Sequence, residues 1–226
     1  MIIPMLGPVL VLLAAPPAGA VPERGDVLHR MTLLRAAPGA VQELVDALRA
    51  GGSARPRLVL RHSQGDHWDV MVLQAIGGYA EHLSHPPAGL APPALVAWQE
   101  DTFVRGPDLS ALEGFTGAGL YHIEMFHALA DKRADLVRER EMENAYLRAL
   151  GRPTNAIFVR ELGGSWDAFT VGAYRGWKHY AEREDISPER SAAAAHAAGF
   201  TSDDKISPAL RALIQSHHDT LATPVR

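Results

Sequence analysis

The chain of 226 residues contains no cysteine. Disulfides, zinc–thiolate sites, iron–sulfur clusters and cysteine nucleophiles are therefore excluded. Compartment is left open by this, because a protein without thiols is safe in either redox environment. No run of Lys and Arg occurs and the formal net charge is −4, so no basic face for nucleic acid is expected. The sequence also lacks a Gly-x-Ser-x-Gly nucleophile elbow, a Gly-Lys-Ser/Thr phosphate loop and a Gly-x-Gly-x-x-Gly turn. Serine hydrolases, nucleotide hydrolases and Rossmann dehydrogenases thus find no support. Nothing after Val21 is apolar enough to span a bilayer.

What is present begins with an apolar run from Ile2 to Ala15, followed by Ala18-Gly19-Ala20, a small-x-small pattern suited to signal peptidase. Pro4, Pro8, Pro16 and Pro17 argue against a stable membrane helix there. No Lys or Arg precedes the run, so either the start codon is misassigned or the signal is atypical. The expectation is a signal peptide over residues 1–20 and a periplasmic or secreted mature protein.

Two diverged copies of one unit follow. Val27 to Leu34 leads into Val41-Gln42-Glu43-Leu44-Val45, and Leu120 to His127 leads into Ala134-Asp135-Leu136-Val137. Arg55-Pro56 matches Arg152-Pro153, and His67-Trp68-Asp69-Val70 matches Ser165-Trp166-Asp167-Ala168. Asp101-Thr102 matches Asp219-Thr220 near the end of each copy. Apolar residues at helical spacing (Val41, Leu44, Val45, Leu48), stopped by Gly51-Gly52-Ser53, predict a helix over about 40–50. Residues 131–150 predict a longer helix in the second copy, ended by Gly151. Ala94 to Gln99 reads as helical, and the insertion Ile186 to Lys205, with its run Ala192 to Ala195, as a surface helix. Each copy, 27–105 and 118–226, reads as a β-α-β-β-α-β plait, an α+β fold of ferredoxin-like type.

This order and its duplication resemble the dimeric α/β-barrel superfamily of ferredoxin-like folds, fused in tandem as a pseudo-dimer. The resemblance implies a small, flat or hydrophobic ligand held between the two sheets. It also implies an activity from a set that includes cofactor-independent monooxygenases of aromatic substrates, haem-binding and haem-degrading enzymes, and small-ring isomerases. No cofactor is specified. A haem would need one axial histidine, with His29, His122 and His179 available.

Alternation along residues 120–127 sets His122, Glu124 and Phe126 against Tyr121, Ile123, Met125 and His127. If the more apolar set faces the helices, His122 and Glu124 point into the inter-sheet cavity as a general acid–base pair. His29 is matched to His122, so both histidines are expected in that cavity. Trp68 and Trp166 begin equivalent strands, as packing anchors or as platforms for a flat ligand. On the long helix Arg140 and Asn144 are offered as ligand holders; the rival view is that the mixed charge there is a solvated face. Tyr174 to Tyr180 concentrates aromatic and basic side chains at a strand–helix junction, to line a mouth for an anionic aromatic molecule or to pack against a sheet edge. Histidines are numerous but show no His-x-x-x-His spacing, so no metal is expected. The resulting expectation is an exported barrel protein binding a small hydrophobic or aromatic ligand, monooxygenase-like or haem-related. The rival is a non-catalytic periplasmic binding or interaction module. Either works as a monomer, or as a homodimer through exposed strand edges.

Overall fold

A computed structural model describes residues 25–51, 57–63, 67–85, 89–110, 114–182 and 186–226. The expected signal peptide and the Arg55-Pro56 marker lie outside the described residues. Among these residues no helix is long and apolar enough to cross a membrane.

The first copy runs β1 (Val27–Ala36), α1 (Val41–Ala50), β2 (Arg57–His62), β3 (Val70–Gly77), α2 (Tyr79–Ser84) and β4 (Val96–Gly106). The second runs β5 (Leu120–Ala128), α3 (Arg133–Ala149), β6 (Asn155–Gly163), β7 (Ala168–Tyr174), α4 (Trp177–Ala181), α5 (Pro188–Ala198), α6 (Ile206–Arg211) and β8 (Ile214–Pro224). Ala94 to Gln99 is not helical. One short 3-10 turn at Pro93–Leu95 leads straight into β4, whose residues Val96 to Gln99 pair with β1. The apparent helix is a strand because the ladder with β1 satisfies its backbone, whatever the local propensity of Ala and Leu.

Each copy forms an antiparallel sheet, ordered β4-β1-β3-β2 in the first and β8-β5-β7-β6 in the second, with seams β2–β8 and β4–β6 closing the two into one barrel. Every strand therefore has two neighbours, though the seams are short: β8 meets β2 only over residues 222–224, and β4 meets β6 only over residues 102–105.

The interior of the barrel is one apolar cluster fed by all eight strands: Met31 and Leu33, Leu58 and Leu60, Met71 and Leu73, Val104, Tyr121 with Ile123 and Met125, Ala156 and Phe158, Phe169 and Val171, and Ala222. An eight-stranded barrel is just wide enough for side chains to fill it, and here aromatic and aliphatic groups do. The space between the sheets is thus packed core.

The outer faces are covered by helices. In the first copy Leu44, Val45 and Leu48 of α1 pack on Leu34, Val59, Val70 and Val72. In the second, Leu136 of α3 packs on Phe126 and Ala168. The inserted α5 is more than surface. Its capped N-terminus, Ser187 accepting from Arg190 N, precedes a turn that buries Ala195 and Ala198 beside Met142, Ala145 and Tyr146 of α3.

Candidate functional site

The barrel fixes which way the residues of β5 point, and it inverts the expectation. Tyr121, Ile123 and Met125 face the barrel interior, so His122 and Glu124 project outward beneath α3. The interior of a closed barrel is the driest surface available and takes the more apolar set. The helix-covered face tolerates the mixed one.

The equivalence of His29 with His122 also fails. Leu34 O accepts from Asp69 N while Ala36 N donates to Asp69; Phe126 O and Ala128 N hold Asp167 in the same way. That makes Tyr121 the counterpart of His29, Arg30 the counterpart of His122, and Thr32 the counterpart of Glu124. A one-residue slip moves every side chain to the other face. His29 sits in the barrel, 1% exposed, its Nδ1 2.9 Å from Val27 O and its ring edge-on to Phe158. Burial lowers its proton affinity, so it is a neutral core histidine.

Trp68 and Trp166 close the two ends of the same core. His62 stacks on Trp68 at 4.4 Å between ring centres, and His127 stacks on Trp166 at 4.2 Å. Both indoles pack within this core, Trp68 fully buried and Trp166 4% exposed.

His122 and Glu124 open onto a cavity of about 710 Å³ between β5, β7 and α3. Glu143 and Leu147 of α3 form one wall, and Asn155 the start of β6. Tyr174, Tyr180 and Ile186, the last at the head of the insertion, complete it, with Arg152 exposed at the rim. The size suits a small organic molecule. Gly172 makes the floor possible: a Cβ there would lie 2.5 Å from Asn155 Oδ1 and 3.1 Å from the Tyr174 ring.

Behind the cavity lies a buried charge cluster. Arg140, 3% exposed, donates from Nε to Glu139 Oε2 at 2.7 Å, pairs closely with Glu143, and reaches Glu124 Oε2 at 3.6 Å. Its guanidinium also lies over the Phe126 ring, 5.3 Å from the centroid. Glu124 accepts a 3.2 Å bond from Thr170 Oγ1. Arg140 is therefore tied to carboxylates rather than lining the cavity. Asn144 is committed too: its side chain donates to Asn155 O at 2.7 Å and accepts from Asn155 N at 2.8 Å, pinning the first residue of β6. The helix face that reads as solvated by its mixed charge is the buried one.

These surroundings reverse the usual order of proton affinity of the two pocket residues. Burial pushes the Glu124 carboxyl up to about 7, reinforced by Glu143 and Asp219 and opposed by Arg140. Burial lowers the His122 imidazole, with Asp219, 3.7 Å from its Nε2, acting against that. Near neutral pH the site holds a carboxyl close to its midpoint and a neutral imidazole, both facing one cavity. Such a pair can take and return a proton.

Of the three histidines available for a haem, His29 is walled into the core and His179 is engaged with Arg175 N at 3.2 Å. His122 lies among Glu124, Glu143 and Asp219, a donor set that suits proton transfer better than the largely apolar sleeve a porphyrin requires. Among the described residues no three His, Asp or Glu side chains converge as a metal ion would need.

Sequence reasoning picked out His122 and Glu124 by residue type. It passed over Glu143, Asn155, Ile186 and Asp219, whose approach depends on folding. Only the spacing of Glu143 from Arg140 was a usable signal.

No family model matches the chain, and no curated protein matches its sequence. Solved structures do match in shape. An anthrone oxidase-like protein superposes with a TM-score of 0.58 at 10% identity, covering 90% of this chain and 93% of that one. A proposed monooxygenase from Lactobacillus acidophilus NCFM gives 0.52 at 6% identity, covering 89% and 95%. These likenesses establish the class: the chain has the dimeric α/β-barrel fold, with two ferredoxin-like units joined in tandem.

Proposed function

We propose that the second copy's cavity binds a small aromatic or conjugated molecule and transfers a proton on it, in the manner of a cofactor-independent monooxygenase. The observation that carries this reading is the placement of Glu124 and His122 on one face of β5, opening together into one cavity and backed by a buried ion cluster. Glu124 would take a proton from a weakly acidic C–H, and neutral His122 would hold the oxygen on which charge then gathers. In the oxidative version, dioxygen takes the electrons: a ring methylene and O₂ give a ring carbonyl and water. The likeness to an anthrone oxidase-like fold makes an anthrone the first substrate to try.

The test is carbonyl formation from an anthrone with dioxygen uptake, followed against pH. The rate should rise as pH passes about 7 and Glu124 ionises. Glu124→Gln should lower it about 10²–10⁴-fold. An unchanged rate in that variant would remove Glu124 from the reaction. The packed barrel interior favours a second reading, a non-catalytic binding or interaction module, which complete absence of turnover would support. Export is proposed on the N-terminal apolar run alone; a mature mass beginning near Val21 would support it, and an intact Met1 in the periplasmic fraction would count against it.

A further inference from the structure

In and behind the cavity wall, the carboxyl groups of Glu124, Glu139, Glu143 and Asp219 outnumber the guanidiniums of Arg140 and Arg152. Glu124, Glu139 and Glu143 converge on one buried guanidinium, Arg140. Asp219 stands behind His122 and is shared with His217 at 3.3 Å. The other cations nearby are turned outward: Arg152 is at the rim, and Arg175, with its side chain 80% exposed, faces Glu182. Arg140 thus lies behind the wall among the carboxylates, and the remaining guanidiniums lie toward solvent. Aromatic faces complete the wall: Tyr174 and Tyr180 meet edge to face at 88° with centroids 5.1 Å apart, and the His122 ring lies 5.7 Å from Tyr180. Two perpendicular aromatic rings beside surplus carboxylate form the arrangement that attracts an organic cation, through the ring quadrupoles and through direct Coulomb attraction.

We infer that this cavity selects a positively charged ligand, an aromatic or alkyl ammonium, with its charged nitrogen between Tyr180, Glu124 and Glu143. The inference rests on the reading above only in placing the ligand in this cavity; it needs no reaction there. A ring bearing such a nitrogen would present its acidic proton to Glu124 while its charge replaces the counter-charge the wall lacks.

Benzyltrimethylammonium is a suitable probe because its charge does not titrate; 3-phenylpropionate is the anionic comparator of similar size. Isothermal titration of the full chain should give saturable binding of the cation and none of the anion. Tyr180→Leu and, separately, Glu143→Gln should each weaken the cation about tenfold. Arg152→Gln should tighten it, by removing a repelling charge from the rim. Tyr180→Leu keeps the test sharp if Glu143→Gln disturbs folding, since the Tyr180 side chain takes no part in the Arg140 cluster. Tighter binding of 3-phenylpropionate that is lost in Arg152→Gln would overturn the inference, as would absence of saturable binding of the cation. Anthrone turnover without cation binding would sink this inference and leave the proposed reaction standing. Cation binding without any turnover would do the reverse.

Discussion

The two copies place the same backbone positions to opposite ends. On the outer face of β1 stand Arg30 and Thr32, with Thr32 Oγ1 donating to Asp101 at 2.5 Å. On the outer face of β5 stand His122 and Glu124 beside Asp219, the partner of Glu124 across the β5–β8 ladder. The overlying helices start alike, since Leu44 N bonds Ala40 O as Leu136 N bonds Lys132 O. Leu44 and Val45 then match Leu136 and Val137. One turn later Ala47 and Leu48 give way to Glu139 and Arg140, both still buried. The first copy seals its sheet with leucine. The second replaces that seal with ions, extends its helix past Glu143 and Asn144, and adds the insertion that brings Ile186 to the rim. A duplicated fold can thus keep one copy as frame and let the other carry a buried polar site, at a cost in stability that the frame offsets.

The sharpest way to break this contrast is to remove Arg140. Arg140→Leu restores the residue of the first copy but leaves Glu124 and Glu139 buried without their shared cation. Removing one partner of a buried ion cluster typically costs about 3–5 kcal/mol. The expected result is a loss of that size in urea unfolding at pH 7.5. Completing the conversion with Glu124→Thr and Glu139→Ala should recover most of it, since Thr32 and Ala47 are what the first copy carries there. If the triple variant is as unstable as the single one, the cavity and not the charges sets the difference between the copies.

A smaller effect concerns pH. Burial pushes the Glu139 carboxyl up to about 7, against the pull of Arg140. Between the ordinary carboxylate value and about 7 the folded chain therefore holds a proton the unfolded chain has released, so stability falls as pH rises through that window. The group's contribution is greatest below about 4.5 and lost above about 7, a change of about 3 kcal/mol at most. Glu139→Gln should lessen the pH dependence of the urea midpoint across that range, leaving the share that Glu124 contributes over the same window. An equally steep dependence in the variant would place the proton elsewhere.

The duplication itself was legible because strand–helix–strand order survives in apolar spacing and in the Trp-Asp pairs. The faces were not. Tyr121, Ile123 and Met125 are the more apolar set on β5, and a lone sheet would turn them to the helices; closure of the barrel turns them inward. Matching His29 with His122 by letter slipped the register by one, and only the shared hydrogen bonds to Asp69 and Asp167 correct it. The long helix hid its buried face because Glu139 and Arg140 compensate each other in space, which no hydrophobic periodicity records. Likewise, Asp219 joins His122 only through the β5–β8 ladder, from a residue nearly a hundred positions away.

The smallest expected effect tests whether the frame is truly shared. Asp69 Oδ2 accepts from Ala36 N at 2.9 Å, and Asp167 Oδ2 accepts from Ala128 N at 3.0 Å. Each carboxylate also meets an arginine, Arg35 at 3.5 Å for Asp69 and Arg160 at 2.5 Å for Asp167. Asp69→Ala and Asp167→Ala should therefore each cost about 1–2 kcal/mol, by leaving one backbone N–H without its carboxylate acceptor and removing one ion pair. Burial pushes the Asp167 carboxyl up, but the Arg160 bond, the Ala128 N–H and the nearby positive charge together hold it below its ordinary value. Its stabilisation is present above that value and lost as pH falls through it, so the Asp167→Ala deficit should shrink on acidification. Near-equal losses at neutral pH would mean the copies diverge only where α3 covers the sheet. A loss at Asp167 several times that at Asp69 would extend the divergence into the frame itself and tie the strand entry of the second copy to its site.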